Sequence, residues 1–143
     1  MPKGTVFDND LMKLIFQATP NISLLLDNTA TTPLTVLYLS LHTADPSAGT
    51  QLTSETTYTS YARVTVARTS GGWSVAANVV QPVATIAFPA GTGGSGTVTH
   101  FGIGTVTTGG AGKILYSGTV TPNIVVGNGV TPQLTTASTI TET

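Results

Sequence analysis

LTVLYLSLHTADPSAGTQLTSETTYTSYARVTVAR, residues 34–68, sets how the rest of the chain reads. Its first eight residues form an apolar run in which Leu37, Leu39 and Leu41 share one face and Leu34, Val36 and Tyr38 the other, because strand side chains alternate. A polar loop starts at His42-Thr43-Ala44-Asp45-Pro46 and returns through Tyr58-Thr59-Ser60-Tyr61-Ala62-Arg63 into a second β run. A strand apolar on both faces needs cover on both. Either the long loop and a helix supply the second cover, or another subunit does.

Outward from this stretch the pattern stays β. Runs rich in Val, Ile, Thr, Tyr and Phe fall at residues 22–26, 34–41, 62–68, 73–76, 83–88, 97–105, 113–120, 123–126, 130–134 and 138–141. Turn clusters such as Ser70-Gly71-Gly72, Thr108-Gly109-Gly110 and Gly127-Asn128-Gly129 separate them. The expected fold is mainly β: a single antiparallel β-sandwich, jelly-roll-like, with one short N-terminal helix. The helix is expected at residues 8–18, capped by Asp8, with Leu11, Leu14, Ile15 and Ala18 as its apolar stripe. Residues 1–21 then form an arm with the short helix, and residues 22–143 the β-sandwich domain.

The 143 residues suffice for one buried core. Charged residues make up 8% of the chain, against about 25% in ordinary soluble domains, and the net charge is -1. A surface so poor in charge has weak protection against association, which suits a subunit of an assembly. The balance offers no footprint for nucleic acid. No apolar run approaches the roughly 20 residues that span a bilayer, so a membrane is not an expected partner. Cysteine is absent, which excludes disulfides and Cys-based metal sites.

Chemistry-bearing residues are few. Ser40, His42 and Asp45 supply the residue types of a nucleophilic triad. Ser40 and His42, however, stand two apart on a strand, about 7 Å between Cα atoms, and no nucleophile elbow or oxyanion motif accompanies them. His42, Asp45, Glu55 and His100 lack the dense spacing of a metal motif. Gly109-Gly110-Ala111-Gly112-Lys113 fails as a phosphate loop, because Thr107 stands where a Gly is needed and Ile114 follows the Lys. Asp45 and Glu55 could serve as paired carboxylates on a sugar, with Tyr58, Tyr61 and Trp73 as stacking candidates. Catalytic residues, metal ligands and cofactors are therefore not expected. The expected role of His42, Asp45, Glu55, Tyr58, Tyr61 and Arg63 is a structural latch, with Arg63 pairing to Asp45 or Glu55 and the tyrosines closing over the loop. Leu11, Leu14, Ile15 and Trp73 are the candidate interface residues.

Tyr38-Leu39-Ser40-Leu41-His42-Thr43-Ala44-Asp45-Pro46, Glu55 and Tyr58-Thr59-Ser60-Tyr61-Ala62-Arg63 together resemble a family of small tailed-bacteriophage virion proteins, often described as tail fibre or tail proteins. Val98-Thr99-His100-Phe101-Gly102-Ile103-Gly104 and Gly112-Lys113-Ile114-Leu115-Tyr116-Ser117-Gly118 match the same phrasing, so the resemblance covers residues 34–134. Small β-sandwich proteins of this kind also serve as capsid cement or decoration proteins. A short chain without a shaft or repeats suits that role. The resemblance implies a non-enzymatic structural protein on the outer capsid surface that self-associates as a dimer or trimer and clamps the major capsid protein. The alternative is a tail or tail-fibre-associated subunit that binds a receptor or glycan.

Overall fold

Every β run needs partners for its backbone N–H and C=O groups. In the computed structural model, which describes residues 5–19 and 34–142, they find them in antiparallel pairs. Helix α1 spans Thr5–Gln17. The strands are β1 Val36–His42, β2 Val64–Ala67, β3 Trp73–Ala76, β4 Val79–Pro82, β5 Ile86–Ala87, β6 Ser95–Gly104, β7 Ile114–Gly127, β8 Gln133–Leu134 and β9 Ile140–Thr141. They form sheets ordered β2-β1-β6-β7, β3-β4-β9 and β5-β8. The chain is thus mainly β with antiparallel sheets and one short N-terminal helix, consistent with a β-sandwich. The run expected at residues 22–26 lies outside the described residues.

Two compact units divide the chain. The first comprises Met1–Val36, Val66–Thr85 and Thr135–Thr143. In it α1 packs on β3 and β4. The helix buries Met12 and Phe16, one turn apart, and the Phe16 ring meets Trp73 edge to face at 4.9 Å. This corrects the expected stripe. Leu11, Leu14 and Ile15 are only half-buried, and Ala18 is exposed beyond the helix at φ 52°. The helix also starts at Thr5, which places Asp8 inside it rather than at its cap. Its C-terminal end is held from outside: Arg68 donates to the carbonyls of Leu14 (2.8 Å), Ile15 (2.7 Å) and Leu34, and Gln17 Nε2 donates to Trp73 O at 3.0 Å. Carbonyls of a last helical turn lack partners of their own, so a cation suits them.

Strand β4 has no counterpart among the expected runs. Ala76 pairs with Val79, so only Ala77 and Asn78 turn the β3–β4 hairpin, with Ala77 at φ 54°. Such tight turns normally announce themselves by Gly or Asn at the first position.

The second unit comprises Leu37–Thr65 and Ile86–Leu134. Cross-strand partners share a face, and the register joins Leu39 to Ile103 and Leu41 to Phe101. These four side chains and Leu37, Val98 and Val126 are buried. The opposite face carries Ser40 against Gly102 and His42 against His100. Ser40 and His42 are fully buried too, because residues of the 43–63 loop lie over them. The two runs expected at 113–120 and 123–126 are one strand, β7, with a register shift opposite the Val98–His100 step and a cis Thr121–Pro122 peptide.

Candidate functional site

The loop after β1 closes on itself at its neck. Thr43 N donates to Ser54 O (2.8 Å), Thr56 N to Leu41 O (2.9 Å), and His42 bridges Glu55. Further out, Gln51 N donates to Gly112 O at 2.9 Å, and Thr50 bridges Lys113. The Gln51 side chain is fully buried, and its Oε1 accepts from the N–H groups of Thr105 and Val106, both at 2.9 Å. Two glycines make room for it. A Cβ on Gly104 would lie 2.1 Å from Gln51 Cδ, and one on Gly112 would lie 2.3 Å from Gln51 Oε1. Gln51 thus pegs the loop into a glycine-lined slot.

The return of the loop is held by charge. Arg63 makes a bidentate pair with Glu55, Nε to Oε1 and Nη2 to Oε2, each 2.7 Å. Its Nη1 donates to three carbonyls, Val106 (3.0 Å), Thr107 (2.8 Å) and Gly110 (2.8 Å). The Arg63 side chain has no exposed surface, and that of Glu55 is 10% exposed. A buried pair holds together only when its remaining donors and acceptors are satisfied. Here the Tyr61 hydroxyl completes the set: it donates to Glu55 Oε1 at 2.8 Å and accepts from Leu41 N at 3.0 Å. Burial pushes the Tyr61 phenol far above its usual range. Tyr58 meets the Tyr61 ring at 5.3 Å and donates to Pro89 O at 2.8 Å, and burial raises its phenol as well.

His42 sits beneath the same neck. Its Nδ1 lies 2.9 Å from Thr53 O, and a carbonyl only accepts, so Nδ1 carries the proton. Nε2 then accepts from the Ser40 hydroxyl at 2.8 Å. Burial lowers the His42 pKa, which keeps the ring neutral. The strand spacing of about 7 Å between Cα atoms weighed against a Ser40–His42 pair, yet the two side chains share a face of β1 and meet there. The pair has no exposed surface, and a backbone carbonyl stands where a triad has its carboxylate.

Asp45 does not join the Arg63 cluster. It is exposed, accepts from Ser47 N (3.0 Å), Ser47 Oγ (2.9 Å) and Ser117 Oγ (3.1 Å), and those Ser47 bonds hold its pKa below the usual value. Arg63 therefore pairs with Glu55 alone among the carboxylates expected for it. The stacking platform is also corrected. Tyr58 is 3% exposed and Trp73 1%, each buried in its own unit, so neither ring offers a face to a ligand. For the same reason Trp73 is a core residue, not an interface residue. Among the described residues no group of three or more His, Cys, Asp or Glu side chains is placed to share a metal ion. No described helix is long and apolar enough to cross a membrane.

Gln51 gave no sign of its role in the sequence, and Arg68, an alternative to Arg63 as the carboxylate's partner, instead holds the end of α1. The glycine-rich stretch from Gly102 to Gly112 was the available signal for Gln51, since glycines clustered beside a strand mark close approach of another segment.

A β unit whose polar side chains are spent on fastening its own loop is built as a structural element. The comparison with known families agrees. The family described as podophage GP4 fiber I protein gp80 matches residues 17–141, and the chain belongs to that family. It is a bacteriophage structural protein of the fibre type. No curated protein matches the chain.

Proposed function

We propose that this chain is a non-enzymatic subunit of the phage tail or of a fibre attached to it. The family match carries this reading, and it supports the tail over the capsid-cement role that size, β content, low charge and the resemblance suggested. The latch supports the mechanical part. Glu55, Arg63, Tyr61 and Gln51 hold residues 43–63 against the sheet, so the loop surface is presented in one shape. Few charges remain free for repulsion between copies, which favours self-association as a dimer or trimer. The partners in this reading are other tail components and further copies of the chain, in place of the major capsid protein. Immunogold labelling of intact virions with antibody to this chain tests it. Gold at the tail is expected; gold confined to the capsid shell would overturn the proposal and restore the cement role.

A further inference from the structure

Strand β7 is the outermost strand of its sheet, with β6 on one side and no described strand on the other. A bare edge offers its row of backbone N–H and C=O groups to another chain, and proteins usually blunt it with charges or proline. Residues 114–127 contain no charged side chain. Pro122 is the one breaker, and it lies in the irregular step of the β6–β7 register. Before it, residues 115–121 read LYSGTVT, with neither charge nor proline. Leu115, Thr119 and Thr121 are exposed there, and the other four are half-buried.

We propose that residues 115–121 pair antiparallel with the same residues of a second copy, joining two sheets across a two-fold axis. The inference rests on the self-association in the reading above and gives it a surface. An antiparallel pair sets residues of one face opposite each other, so the two-fold must centre on a residue. The proline-free window centres on Gly118. That register puts Tyr116 opposite Val120, Ser117 opposite Thr119 and Leu115 opposite Thr121, each twice. Aromatic with β-branched and hydroxyl with hydroxyl are favourable cross-strand pairs, and no like charges stand opposite. Asp45, which accepts from Ser117 Oγ at 3.1 Å, gains a second hydroxyl beside it from Thr119 of the second copy. Pairing over this window supplies roughly six to eight main-chain hydrogen bonds. A typical interface carries about 5–15. A second copy is the occupant because the window is its own complement.

Light scattering on the full chain is expected to give a dimer, twice 14.5 kDa. Thr119→Glu sets a carboxylate beside Asp45 of the second copy, twice per dimer, and the mass should fall to that of one chain. The chain has no cysteine, so introduced thiols report the register. Opposite residues of an antiparallel pair stand about 4.5–5.5 Å apart between Cα atoms, within disulfide reach. Leu115→Cys chains exchanged with Thr121→Cys chains should therefore link under mild oxidation. Leu115→Cys alone should not, because its two copies lie roughly 20 Å apart along the pair. All three positions are exposed, so the tyrosine circular dichroism of each variant should match wild type. A monomeric or trimeric wild type, a dimer that survives Thr119→Glu, or a mixture that links no better than Leu115→Cys alone would overturn the proposal. Gold on the capsid with this dimer intact would sink the tail reading and leave the pairing standing; gold at the tail with a monomeric chain would do the reverse.

Discussion

Replacing Arg63 by Ala strands the Glu55 carboxylate in a nearly dry site. It also removes the donor shared by the carbonyls of Val106, Thr107 and Gly110. Breaking a buried ion pair from one side costs about 3–5 kcal/mol, because the remaining charge keeps its desolvation penalty. For a domain near this size each kcal/mol lowers Tm by about 2–4 °C, so a fall on the order of 10 °C is expected. Glu55→Gln should cost less, since the amide can still accept from Tyr61 while Arg63 keeps its three carbonyls. The double variant should cost less than the sum of the two, with a coupling of about 1–3 kcal/mol. The chain provides its own reporters. All four tyrosines lie in the second unit, and Trp73, the only tryptophan, lies in the first. Thermal unfolding followed by tyrosine near-ultraviolet circular dichroism therefore reads the unit that holds the latch. A loss below about 1 kcal/mol for Arg63→Ala would place the pair among exposed surface bridges and refute the reasoning.

Other expectations follow the same lines. His42 has its pKa lowered by burial, so below about pH 6.5 the unfolded chain takes up a proton that the folded chain resists. Stability from this group is complete above that pH and is lost as pH falls; urea melts between pH 7 and 5 should show the decline, with a shallower slope in His42→Gln. Gly104→Ala drives a methyl into Gln51 and should cost about 1–3 kcal/mol, and Gln51→Ala in the same chain should recover part of it, as double-mutant melts will show. Arg68→Ala frees the carbonyls at the end of α1, so amide hydrogen exchange of residues 5–17 should quicken while β6 stays protected.

The β character was legible because β-branched and aromatic residues mark pleated surfaces directly. The run at 73–76 coincides with β3, and that at 34–41 lies within two residues of β1. Strand β4 was hidden, since nothing about Ala77 announces a left-handed residue. The helix face was misread because the periodic positions Leu11, Leu14 and Ile15 outweighed the pair Met12 and Phe16. Phe16 has the larger apolar surface, and Trp73, 57 residues away in sequence, sets which face turns inward. In the latch, the crowding of Glu55, Tyr61 and Arg63 after a long loop pointed to their contact. Asp45 had two readings, a partner for Arg63 and a turn former before Pro46 whose carboxylate accepts backbone N–H groups, and its bond from Ser47 N follows the second. Gln51 was illegible from composition: a polar residue in a Thr-rich loop gives no sign of burial until the glycines opposite it are seen as a slot.

The place proposed for the chain is the tail, as a braced structural subunit. A cryo-EM map of the purified virion tests it most directly. Density that accommodates the β2-β1-β6-β7 sheet and its covering loop is expected at the tail or on a fibre attached to it. Density for the chain on the capsid shell, with none at the tail, would contradict it.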